Sequence, residues 1–160
     1  IPIGLEKNKE IVAGVTFDPI RNELFLAEKN KGSFLNGKKI QVSECATLDM
    51  AVLGMASFGT LEDLKKFGEF FTKAYIICPN VLTTASTALD LAYVAAGRLD
   101  ACYSKGGAHP WDVAAGSLLI TEAGGIITNH DLQPASIYKN EIVAGNPILF
   151  DAFTELTGLH

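Results

Sequence analysis

The chain predicts an α/β layered fold in which an antiparallel meander comes first and strands alternating with helices follow. Three observations carry this. The opening forty residues hold short β-branched, apolar runs separated by turn residues, with no helical stripe. From about residue 50 onward, short apolar runs alternate with segments of helical periodicity, the pattern of a sheet with helices on both faces. A 48% hydrophobic content over 160 residues is enough for one compact, well-filled core.

The elements follow in order. Residues 11–17, Ile-Val-Ala-Gly-Val-Thr-Phe, are apolar and β-branched and predict a strand buried on both faces. Asp18-Pro19-Ile20-Arg21-Asn22 is a turn, since Pro presets φ and Asn tolerates a left-handed backbone. Residues 23–28 resume as a strand, and Asn36-Gly37 marks a hairpin whose return strand is placed at Ile40 to Val42. A meander this short cannot cover its own faces and needs a partner layer. Residues 51–55 read as a buried strand. Leu61, Leu64, Phe67, Phe70 and Phe71 then share one helical stripe. Ala74 to Cys78 is assigned to a second short strand ended by Pro79. Residues 83–97 start with hydroxyls, continue with Ala and Leu and stop at Gly97, a helix signature. Strands are placed at Leu99 to Tyr103, at Gly125 to Thr128 and at Ile142 to Gly145. A last helix opened by Pro147 carries Leu149, Phe150, Phe153 and Leu156.

Charge and cysteine usage narrow the function. Thirteen basic and eighteen acidic residues leave −5, with no basic stripe for nucleic acid and no Lys/Arg run for an anionic membrane, so a small molecule or a protein is the better partner. The three cysteines, Cys45, Cys78 and Cys102, lack metal-ligand spacing and read as reduced core residues of a cytosolic protein. No run approaches a membrane-spanning length and no charged-then-apolar leader opens the chain. The first residue is Ile1, not Met, so the chain reads as a fragment or a processed product.

The stretch with most chemistry is Trp111 to Gly125. Pro110 precedes an aromatic, then a carboxylate at the mouth of a helix that runs to Gly124-Gly125. Asp112 sits where unpaired N–H groups and the helix dipole favour an anion. On residue type alone a structural cap outweighs a ligand for a hard cation, because caps are far commoner than metal sites.

The string Trp111-Asp112-Val113-Ala114-Ala115-Gly116-Ser117-Leu118-Leu119-Ile120-Thr121-Glu122-Ala123-Gly124-Gly125 resembles the C-terminal signature of the inositol monophosphatase family of magnesium-dependent phosphatases. Four further segments agree with it in the family's order: residues 14–25, 31–37, 88–100 and 143–147. The resemblance spans nearly the whole chain and is nearest to the bacterial, SuhB-like branch.

The resemblance implies a five-layer αβαβα sandwich. This chain would supply its C-terminal αβα half, residues 46–160, plus the last strands of its first sheet, residues 1–45. It also implies hydrolysis of a small phosphorylated polyol or sugar by bound Mg²⁺, with water attacking phosphorus. In that scheme Asp112 is a metal ligand and Trp111 its packing support. The family's other ligands come from an upstream Glu and an Asp-Pro-hydrophobic-Asp-Gly-Thr motif, neither of which occurs here. Asp18-Pro19-Ile20-Arg21 is not that motif, because Arg replaces the second Asp and its flanks place it in a hairpin. One carboxylate cannot build a Mg²⁺ cage, so the chain alone is expected to be inactive. A homodimer, a cytoplasmic location and no direct contact with nucleic acid are implied for the whole protein.

The sequence also departs from the family. Where members that hydrolyse inositol phosphates usually carry a substrate-contacting Glu, this chain has Ser104 or Lys105. A cation cannot accept hydrogen bonds from substrate hydroxyls; Lys105 can instead meet a second anionic group, and an ordinary solvated surface lysine competes at least equally with that role. A Gly-Ser/Thr-Ala loop that touches substrate through its backbone is replaced by Ala85-Ser86-Thr87, for which ordinary N-capping competes equally. His109, Glu122 and Cys102 are set aside, with Glu122 expected to face solvent. Asp90 is given a bracing role at its helix start and no catalytic one. The alternatives to an enzyme are a non-catalytic regulatory member of the same family, associated with transcription, and a generic α/β binding domain in which Asp112 is only a cap.

Overall fold

The computed structural model describes residues 1–106 and 108–159. Its chain begins with a five-stranded antiparallel meander in sequential order: β1 (Pro2–Lys7), β2 (Glu10–Asp18), β3 (Glu23–Glu28), β4 (Gly32–Leu35) and β5 (Lys38–Ile40). Strand β1 lies outside the sequence expectation because Pro2 and Gly4 disguise it. Pro2 is tolerated at the start of an edge strand. Gly4 is required there by packing: it pairs with Gly14, and a Cβ on either would meet Ala114 or Ala115 of a helix at 2.6–2.8 Å. The expected Asn36-Gly37 hairpin forms with φ of +48° and +78°, both left-handed, but its return strand is β5 rather than residues 40–42.

The second sheet has the order β7-β6-β8-β10-β9. Its strands are β6 (Val52–Ser57), β7 (Asn80–Leu82), β8 (Ala101–Lys105), β9 (Ile126–Thr128) and β10 (Glu141–Gly145). Strand β6 pairs in parallel with β7 and β8, whereas β10 runs antiparallel to β8 and β9. The helices are α1 (Leu61–Ile77), α2 (Thr87–Ala95), α3 (Pro110–Glu122) and α4 (Phe150–Thr157).

Helix α1 corrects the assignment of residues 74–78 to a strand. The stripe of Phe67, Phe70 and Phe71 continues at Ala74, which is fully buried, and Cys78 N–H donates to the Ala74 carbonyl at 2.7 Å. Ile76 and Ile77 are β-branched but solvent-facing, so their strand propensity lost to the helical period of the buried positions. The strand in this region is β7, after Pro79.

Alternation along the second sheet separates two cores. Cys102, Ile142 and Ala144 face α2 and α3, which also bury Phe25 and Ala27 of the first sheet. Ala101, Val143, Leu53 and Met55 face α1 and α4 through Phe70, Ala74, Leu149 and Phe153. The layers are therefore meander, α2/α3, second sheet and α1/α4, an α/β layered arrangement in which the meander gains the partner layer it needs. No helix among the described residues is long and apolar enough to cross a membrane.

Candidate functional site

Strands β6, β7 and β8 are parallel, and each runs into a helix: β6 into α1, β7 into α2, β8 into α3. Three helix N-termini consequently gather at the C-terminal edge of the second sheet. This is where open α/β sheets bind ligands and where unpaired N–H groups favour anions.

The α3 entrance holds Asp112. It lies in the first turn, half-buried, and its Oδ2 accepts the His109 N–H at 3.0 Å. That bond is a capping interaction and leaves Oδ1 free of it. Trp111 is 62% exposed and stacks on the His109 ring at 4.6 Å, so it supports the loop before the helix and is not buried beneath Asp112. The helix itself is fixed from two sides. Ala114 and Ala115 press on Gly4 and Gly14, and Gly116 leaves room for Leu91 of α2.

At the α2 entrance, Ser86 is the N-cap and its Oγ accepts from Leu89 N–H at 3.4 Å. Ala85 adopts φ +59°, a conformation that suits glycine and costs an alanine about 1 kcal/mol. Thr87 Oγ1 lies 3.3 Å from Ser104 Oγ of β8. Ser104, buried, therefore faces the Ala85–Thr87 loop. Lys105 points the other way, toward α1, where its Nζ is 3.7 Å from Asp63 Oδ1. Asp63 is in turn fixed by Thr60, whose N–H and hydroxyl donate to Oδ2 at 3.0 and 2.6 Å. A cleft of about 540 Å³ opens between these groups, lined by Phe58, Thr60, Asp63, Lys105, Asn140 and Glu141 among others. Lys105 thus meets the Asp63 carboxylate, and Glu141, its cross-strand partner on β10, lines the same cleft.

Two residues escaped sequence reasoning, His130 at this edge and Glu122 at the opposite end of α3. His130 follows β9 in a loop without periodicity; its Nε2 is 3.2 Å from the Ser104 carbonyl and its ring stacks on Tyr103 at 4.7 Å. Burial first of all lowers its pKa, and burial pushes Tyr103 up to about 12. Glu122, expected in solvent, accepts Asn30 N–H at 2.7 Å and Gly32 N–H at 2.8 Å, tying the β3–β4 turn to the end of α3. Its partners lie 92 and 90 residues away, beyond the reach of local pattern.

A profile of the inositol monophosphatase family matches residues 1–157. The chain belongs to that family. It is 40% identical over 134 residues to Nus factor SuhB of Escherichia coli K12, covering 83% of this chain and 50% of that protein. It is 36% identical over 158 residues to inositol monophosphatase 1 of Solanum lycopersicum, covering 97% and 58%. Among solved structures, the extragenic suppressor protein SuhB of Bartonella henselae superposes with TM-score 0.91 at 33% identity, covering 98% and 60%. The inositol monophosphatase of Anabaena sp. PCC 7120 gives 0.87 at 34%, covering 97% and 62%. The chain thus spans between half and two thirds of the length of these relatives.

Family membership raises the question of a metal. Mg²⁺ asks for near-octahedral oxygen ligands, usually one or two carboxylates with waters and substrate phosphate. Among the described residues no group of three or more His, Cys, Asp and Glu side chains could hold a metal ion. The donors of this chain alone do not fit a closed metal centre, and Asp112 offers a single carboxylate to one.

Proposed function

We propose that the chain is the C-terminal portion of a magnesium-dependent phosphomonoesterase acting on inositol monophosphate or a related sugar phosphate. The observation that carries this reading is the gathering of three helix N-termini at one sheet edge, with the carboxylate of Asp112 at one of them, in a chain that matches the family over residues 1–157. Mg²⁺, when bound, polarises the phosphate and activates water. Asp112 donates one oxygen ligand, and the other ligands lie outside these 160 residues. The Ala85–Thr87 loop orients the polyol or sugar through its backbone, and Lys105 bounds the adjacent cleft. The whole protein is a cytoplasmic homodimer that does not contact nucleic acid directly, in keeping with the negative charge of these 160 residues and their lack of a basic stripe.

The test is phosphate release from inositol 1-phosphate with Mg²⁺. The 160-residue chain is expected to show little or none, and a chain of the relatives' length to sustain turnover. In that longer chain Asp112→Asn should abolish turnover and change stability by less than about 0.5 kcal/mol, because Asn accepts the same capping bond. Unchanged turnover in the variant would rule out a ligand role. A second reading, a regulatory member without catalysis, is favoured by the 40% identity to proteins named Nus factor SuhB. Absence of turnover in the longer chain would select it.

A further inference from the structure

Asp90 is a carboxylate in the core. It lies on α2, 3% exposed, and a Cβ placed on Gly54 of β6 would come within 3.4 Å of its Cγ. Cys102 of β8 borders the same space, since that Cβ would also come within 3.4 Å of the Cys102 Cβ. The hydrogen-bond partner of Asp90 is Thr84, whose hydroxyl donates to Oδ1 at 2.6 Å. Thr84 Oγ1 in turn accepts the Ser86 N–H at 3.2 Å. Between these two anchors sits Ala85, in the left-handed conformation.

The Thr84 hydroxyl has one proton and two acceptors within reach: Asp90 Oδ1 at 2.6 Å and the Ser86 carbonyl at 3.4 Å. An ionised Asp90 takes that proton in a charge-assisted bond and leaves a Thr84 lone pair for Ser86 N–H. A protonated Asp90 is itself a donor. It can give its proton to one lone pair of Thr84 Oγ1, which turns the hydroxyl's own proton from Asp90 toward the Ser86 carbonyl while the other lone pair keeps the Ser86 N–H. The loop is then held at both backbone groups of Ser86.

We propose that Asp90 is a positioning residue that sets the conformation of the Ala85–Thr87 loop through Thr84, so that the loop's shape follows the charge of a carboxylate buried behind it. The loop geometry stands on its own; its meaning for a phosphate ester rests on the function proposed above. Burial raises Asp90 to about 6, with the Thr84 bond working in the opposite direction, so the change of charge falls near neutrality. The titratable side chain facing Asp90 from β8 is Cys102, driven well above its usual range by burial and then by Asp90 itself, and therefore neutral throughout. Gly54 of β6 brings no charge. On the far side of the loop, His130 reaches Ser104, the partner of Thr87, and also titrates below its usual range.

The experiment follows Ala85 methyl and Ser86 amide resonances in the whole protein between pH 4.5 and 7.5, alongside calorimetric binding of inositol 1-phosphate. In the wild type both resonances should move together with a midpoint near that of Asp90. Asp90→Asn should remove the movement and His130→Gln should retain it. Thr84→Val should uncouple the loop from Asp90 and weaken binding of the ester by about tenfold, with Thr84→Ser restoring both. Resonances that ignore pH in the wild type, that follow His130 instead, or that still follow Asp90 in Thr84→Val would overturn the proposal. If the loop titrates as expected but the ester binds at no pH, the positioning role stands and the phosphatase reading falls. If the ester binds while the loop ignores pH, the reverse holds.

Discussion

Asp90 has a consequence for stability as well as for the loop. Its pKa is raised from 3.8 to about 6 in the folded protein, so between those values the folded state holds a proton that the unfolded state has released. Its contribution is then fully present below about pH 4 and is lost as pH rises through about 6. The two pKa values correspond to a swing on the order of 3 kcal/mol. Urea unfolding followed by circular dichroism at pH 4 and pH 7 should show Asp90→Asn gaining stability relative to wild type by that order across the interval; a constant difference would mean that burial does not tune this group. Such a residue is poorly legible in sequence. Its spacing from Ser86 suggested a brace at the start of α2, and the bond to Thr84 agrees, but its burial comes from Gly54 and Cys102 on strands that local pattern cannot bring together. Ser86 as a helix cap, by contrast, was legible because the interaction closes within three residues.

Helix α3 shows how an element is positioned by residues chosen for what they lack. Gly116 lies where a Cβ would stand 2.5 Å from the Leu91 Cβ of α2, and Gly4 and Gly14 open the meander to Ala114 and Ala115. The carboxylate of Asp112 lies a single turn away, so its placement depends on these close approaches. Gly116→Ala adds helix propensity worth roughly 1 kcal/mol, yet the buried methyl cannot be accommodated without moving α2 or α3. The expected result is a net loss of about 1–3 kcal/mol in chemical unfolding, against a gain if the interface were slack. In sequence, Gly116 breaks an otherwise good helix for no local reason, and Gly4 hid β1 altogether. Helix α1 erred in the other direction. Tyr75, Ile76 and Ile77 carry strand propensity, and only the burial of Phe70 and Ala74 against the second sheet reveals that the helical period continues.

For the whole molecule, the meander has one covered face and one bare one. The row Gly4, Gly14, Ala27, Ser33 faces inward, and its neighbours Ile3, Val15, Leu26 and Phe34 pair in register on the outer face. Leu5 beside them is 59% exposed and Ile3 64%. A contiguous apolar sheet face of this kind marks an interaction surface. The sequence announced the need for a partner, since a meander of about forty residues cannot cover its own faces, but not which face would receive α3. The relatives are about 1.7 times as long as this chain, since 134 and 158 matched residues make up 50% and 58% of them, which is long enough to bring a further layer. Leu26→Glu distinguishes a covered face from a bare one. In the 160-residue chain the substitution should cost less than about 0.5 kcal/mol and reduce self-association seen by light scattering, because the side chain meets solvent or a second molecule. In a chain of the relatives' full length it should cost about 2–4 kcal/mol, because an ionised carboxylate would enter a closed apolar layer. Equal costs in the two chains would mean that the added residues pack elsewhere and leave the meander open.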